Sequence, residues 1–142
     1  MSAIDRLFWG MRAAATGMSA ERVRMDVIAD NIANVNTTNT PEGGPYRRRH
    51  VLFEPMLAEV EGSARPAGVR VAGVERDMAR PFERVFQPTH PDADAQGMVS
   101  LPNINALEEM ADLVTAVRSY EANMSVQNSF VQMAERALRS AQ

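Results

Sequence analysis

Apolar and polar positions follow a helical period at both ends of this chain and lose it in the middle. With Ile4 at heptad position a, Met11, Met18, Met25 and Ile32 also fall at a. Leu7, Ala14, Ile28 and Val35 fall at d, with Glu21 the polar exception. Nine apolar residues in ten seam positions predict a helix from Ser2 to about Val35. Ser2 followed by Asp5 is a capping-box variant suited to the first free amides, and at ~1.5 Å per residue the helix is roughly 50 Å long. The far end mirrors this. Asn105 with Glu108 three residues on reads as an N-cap and its N3 partner. Met110, Val117, Met124, Val131 and Leu138 form one heptad row, and Ala106, Leu113, Tyr120, Gln127 and Ala134 form the other. Glu108, Glu109 and Asp112 near the start, with Arg136 and Arg139 near the end, complement the helix dipole.

All eight prolines and six of the eight glycines lie between Asn36 and about Asn103, where no long helix can form. Residues 36–45 (NTTNTPEGGP) read as a loop, and short β-like runs follow at Arg49–Phe53, Val69–Val74 and Phe82–Phe86, each bounded by Gly or Pro. The expected fold is mainly α: two long terminal heptad helices packing as a coiled-coil-like pair, with a small irregular β-containing middle segment. The expected division is 1–35 for an N-terminal assembly helix, 36–102 for the loop and middle segment, and 103–142 for a C-terminal assembly helix.

Composition narrows the chemistry. The chain has 142 residues, 45% apolar but only 6% aromatic, so a core must rest on Met, Val, Leu, Ile and Ala. Net charge is −3, too small to indicate a nucleic-acid binder. All 15 basic residues are Arg, which excludes lysine-dependent chemistry such as the P-loop or a Schiff base. Cysteine is absent, excluding disulfides, thiol nucleophiles and Cys-based zinc sites. Asp5, Arg6 and Arg12 interrupt the N-terminal apolar positions, so no secretory leader is expected. No window approaches the ~20 apolar residues that a membrane span requires.

An apolar seam must be covered, either by the other terminal helix or by neighbouring molecules, and pattern alone leaves both open. Two details favour neighbours. Gly10 and Gly17 fall at g beside the seam, where each costs ~1 kcal/mol of helix stability and permits close approach of another backbone. Six of ten methionines also sit on the terminal helices, where flexible thioethers adapt to non-equivalent contacts or simply fill a core.

The residues Ala29, Asp30, Asn31, Ile32, Ala33 and Asn34, followed by Thr37 and Thr38, resemble the N-terminal signature of flagellar rod and hook axial proteins, which often carry Asn where Asp30 stands. Leu101-Pro102-Asn103-Ile104-Asn105, then Glu108-Glu109-Met110 and Tyr120-Glu121-Ala122-Asn123, resemble the matching C-terminal signature. The loop Thr40–Arg48 and the short length are similar to the proximal-rod members. The resemblance implies a structural, non-enzymatic, cofactor-free subunit of the periplasmic rod, exported unfolded by the flagellar type III apparatus without a cleaved leader. It implies assembly with copies of itself and with the rod proteins FlgB, FlgF, FlgG and FliE, with neither nucleic acid nor a transmembrane segment involved. The expected assembly interface is Ile4, Leu7, Met11, Met18, Met25, Ile28 and Ile32 on the first helix. On the second it is Met110, Leu113, Val117, Tyr120, Met124, Val131 and Leu138. Asn31 and Asn123, both at g, are candidates for fixing register between subunits, or else merely for ending a helix and facing solvent.

Other chemistries are weaker. Residues 92–97 (DADAQG) imitate half an EF-hand, but position twelve is Asn103 rather than the required Glu, so a turn is the better reading. Arg47-Arg48-Arg49-His50 is a basic run expected at a solvated or protein-contacting surface, against an acidic neighbour. Two histidines forty residues apart suggest neither metal nor catalysis. Trp9 is expected to pack rather than to anchor in a membrane, because its helix is too acidic. The alternative to a rod subunit is a stand-alone helical adaptor whose termini pair internally.

Overall fold

The computed structural model describes residues 3–60 and 62–140, with side chains of residues 3–7, Val60 and Ser140 outside the description. The cap at Ser2 and the seam side chains Ile4 and Leu7 therefore lie outside the described residues. The order is α1 (Ala3–Ala33), β1 (Arg49–Val60), β2 (Ser63–Arg76), β3 (Glu83–Phe86), β4 (Met98–Leu101) and α2 (Ala106–Ser140).

Helices of 31 and 35 residues stand beside strands of 12, 14, 4 and 4 in two antiparallel two-stranded sheets. This is a mixed α/β fold, correcting the expectation of a mainly α chain with an irregular middle. The middle is dominated by one long hairpin, with Arg49 opposite Arg76 and Val60 opposite Ser63. Pro55 and Pro66 lie inside its strands. In a two-stranded ribbon every residue borders an edge, so proline need not cost a ladder hydrogen bond. Register shifts at Leu52/Phe53 and Met56/Leu57 absorb the remaining mismatch. The second sheet pairs Glu83 with Leu101 and Phe86 with Met98.

Local chemistry sets the helix ends. Asn105 Oδ1 accepts from the amides of Leu107 (3.0 Å) and Glu108 (3.4 Å), the N-cap its position predicts. At the end of α1, the Asn34 amide and side chain both donate to Asp30 O, at 3.1 and 2.8 Å. The helices pack against each other within the chain, and α1 also carries the hairpin. The hairpin lies lengthwise on α1: Asn31 Nδ2 donates to Arg49 O (2.8 Å) at one end and Trp9 Nε1 to Pro66 O (3.1 Å) at the other. Between them the Val69 amide donates to Thr16 Oγ1 (3.2 Å). Gly68, at φ 147°, sits where a Cβ would collide with Thr16. Trp9, half-buried, is thus tied to the hairpin of its own chain.

The buried apolar side chains among the described residues are Ala14, Ala20, Val27, Ile28, Ala67, Val99, Pro102 and Ala116. Four are alanines, and none is Met or Leu. Layers this thin have no interior deep enough for the larger apolar residues, which remain at the surface.

Candidate assembly face and polar clamp

Three signature segments meet where α1 ends, β1 begins and α2 begins. Asn31, at 0% exposure, uses its whole amide. Nδ2 donates to Arg49 O (2.8 Å) and Glu109 Oε2 (2.9 Å), while Oδ1 accepts from the Arg49 amide (3.0 Å) and the Tyr46 hydroxyl (3.3 Å). Glu109, also fully buried, accepts on its other oxygen from Arg48 Nε at 2.6 Å. Arg48 extends towards Asp112 at 3.5 Å, and its amide donates to Asn103 Oδ1 at 2.8 Å. Asn103 Nδ2 in turn donates to the carbonyls of Asp77 and Arg80, both at 3.1 Å. A buried carboxylate is tolerable only when paired and hydrogen-bonded, and here both conditions hold. Asp30 pairs with Arg49 Nη2 at 3.1 Å. The acid that departs from the family signature thus acquires an ion-pair role. The hydrogen bond from Arg49 Nε to the Tyr46 hydroxyl outweighs partial desolvation and pushes the Arg49 guanidinium up from its ordinary value.

The basic run expected at the surface is divided by this clamp. Arg48 and Arg49 are consumed inside the chain, and Arg47 stacks on Phe82 with its guanidinium carbon 4.1 Å from the ring centre. Asn31 is likewise spent internally, not held free for a neighbour's register. The clamp residues Tyr46, Arg48, Asn103 and Glu109 were missed as a unit. The one available signal was an acidic residue directly beside the N-cap partner Glu108.

From the clamp the two helices run antiparallel along a line of g positions. Asn31 meets Glu109, and Arg24 lies 3.9 Å from Asp112. A Cβ at Gly17 would stand 2.9 Å from Asn123 Nδ2, and one at Gly10 would collide with the Phe130 ring. The glycines allow the close approach expected of them, but to the chain's own second helix. Ala116, at 0% exposure, lies on the same line of α2.

Because the g line takes the helix–helix contact, the apolar rows are turned aside. Met110, Val117, Met124, Val131 and Leu138 are all exposed, from 38% at Val117 to 70% at Leu138. Leu113 and Tyr120 are half-buried, as are Met11, Met18, Met25 and Ile32; Ile28 is buried in the intrachain core. Of the other signature residues, Ala29, Ala33, Glu121 and Ala122 are exposed, while Asn34 and Asn123 are half-buried.

The EF-hand-like stretch forms a turn. Asp94 Oδ1 accepts from the amides of Gln96 and Met98, both at 2.9 Å, and its other oxygen meets Arg84. The Met98 amide above all holds its carboxyl below the usual carboxylate range. Among the described residues no group of three His, Cys, Asp or Glu is placed to hold a metal, and no helix is long and apolar enough to cross a membrane.

Comparison with known proteins gives this geometry its class. Residues 11–39 match the family model for the flagella basal body rod protein, and residues 95–140 match that for the C-terminal region of flagellar basal body rod FlgEFG proteins. The chain is 42% identical to the flagellar basal-body rod protein FlgC of Borreliella burgdorferi, over 93% of this chain and 95% of the relative. It is 38% identical to that of Bacillus subtilis, over 92% and 95%, and 36% identical to that of Escherichia coli O157:H7, over 91% and 93%. The chain belongs to the FlgC family of flagellar basal-body rod proteins, structural subunits of the rod.

Proposed function

We propose that this subunit enters the proximal rod by laying the open side of its helix pair against neighbouring subunits. The surface is Met110, Val117, Met124, Val131 and Leu138, with Leu113, Tyr120 and the half-buried Met11, Met18, Met25 and Ile32 beside them. One observation carries the reading: the helices are already paired within the chain, yet an apolar row spanning four heptads of α2 is open. Left in water such a row is a liability; covered by subunits related by a screw axis, it builds an open polymer. The partners are further copies and the other rod proteins FlgB, FlgF, FlgG and FliE. The setting is the periplasmic drive shaft, reached unfolded through the export apparatus, and the subunit carries torque rather than performing catalysis.

The test is complementation of an in-frame deletion in the source bacterium. Deletion is expected to abolish swimming and complete basal bodies, wild type to restore both, and Met124→Asp to restore neither. Normal swimming of the deletion strain refutes the assignment. Normal rods with Met124→Asp refute the proposed face.

A further inference from the structure

A groove of about 530 Å³ opens between the 37–45 loop and the start of β1, and is lined in part by Glu42, Tyr46, Arg47, Arg49, Arg76 and Phe82. Three guanidiniums face one carboxylate in that lining. Arg49 is paired with Asp30 and Arg76 with Glu42. Arg47 differs. Its Nη1 donates to two carbonyls, Asp77 O at 3.0 Å and Arg80 O at 3.4 Å, and its plane rests on Phe82. Among the described residues no carboxylate lies within ion-pair distance of Arg47, and its Nε and Nη2 have no hydrogen-bond partner. Carbonyls and an aromatic face hold the group in place without neutralising it. Other arginines without an ion-pair partner among the described residues, such as Arg12, Arg22 and Arg118, are exposed. Arg47 is half-buried and already fixed, so its rotamer entropy is spent and a fork-shaped donor edge is left over.

The complementary group lies on α2. Glu121 is exposed, one turn after Val117 and three residues before Met124, so it shares their face, and it has no ion-pair partner among the described residues. Glu135, further along, already has Arg139 at 3.8 Å. Covering the open row would take Glu121 out of water, and a desolvated carboxylate must meet a cation.

We propose that the groove around Arg47 receives the Glu121 carboxylate of a second copy of this chain, so that each subunit joins its loop groove to its neighbour's outward helix face. This rests on the assembly face proposed above. The two sites are different surfaces of one molecule, so the contact is heterologous and repeats without closing.

Charge reversal in the complemented deletion strain tests it. Arg47→Glu and Glu121→Arg should each lower the number of completed rods at least about tenfold, as stranding one member of a desolvated pair does. The double variant should recover most of them. Glu121→Gln, isosteric and on the surface, should give a partial loss with an unchanged monomer. Normal rod numbers with Glu121→Gln or with either reversal would overturn the pairing. So would failure of the double variant when the purified single variants keep wild-type circular dichroism and melting. If Met124→Asp blocks assembly while these variants do not, only the pairing fails. If Met124→Asp also assembles normally, the face beneath it fails.

Discussion

The two ends of the helix pair are built on opposite principles. At the root, Asn31, Arg48, Asn103 and Glu109 close a buried polar network with its amide and carboxylate capacity used. At the free ends, Gly10 and Gly17 lie under Phe130 and Asn123, and the apolar row Met124, Val131 and Leu138 of α2 is exposed. A polar network tolerates one arrangement, because each unmade bond in a low-dielectric site is costly. A glycine line with adaptable neighbours tolerates several. The root therefore sets which segments meet, and the free ends suit the assembly contacts proposed above.

Arg48→Ala should break this contrast most severely, because it strands the fully buried Glu109: a loss of about 3–5 kcal/mol, read by urea denaturation of the purified chain. Asn31→Ala leaves Glu109 and the Arg49 backbone short of partners and should cost about 2–3 kcal/mol in the same assay. Gly10→Ala gains ~1 kcal/mol of helix propensity and spends a comparable amount displacing the half-buried Phe130 ring, so a net change within about 1 kcal/mol is expected. A cost equal to that of Asn31→Ala would mean the free ends are as tightly specified as the root. The smallest effect concerns the β3–β4 turn. The folded Asp94 carboxyl titrates below its unfolded value, so its contribution is present above the ordinary carboxylate value of about 3.9 and is lost as pH falls through the lower folded value. Amide exchange at Gln96 and Met98 should accelerate in that acid window, and Asp94→Asn should abolish the acceleration.

Both helices were legible because their period persists over many turns and because Asn105 is a cap by position and chemistry. Which row would be covered was not legible. Periodicity tells which residues share a face, but not which neighbour meets it. The contact line proved to be the g row, whose glycines and asparagines the sequence pattern marks for close approach or register without saying that the partner is the chain's own second helix. The hairpin was read as fragments because Pro55, Pro66 and Gly68 look like boundaries, while register shifts and an edge position make them tolerable. The four-residue strand Met98–Leu101 is too short to signal itself. The clamp was hidden for a different reason: Arg48 and Glu109 are 61 residues apart, and a basic run cannot announce which acid the fold will bring to it.

The hairpin carries a consequence for how this chain polymerises. Twelve residues at ~3.3 Å each make β1 roughly 40 Å long, and a bare ribbon of that length would be a template for runaway strand stacking. On β2, Pro66 O and the Val69 amide are already taken by Trp9 and Thr16. On β1, Pro55 removes a donor midway and two register shifts warp the line. Strand stacking of the amyloid kind is thereby discouraged, which leaves the helices as the surface for the association proposed above.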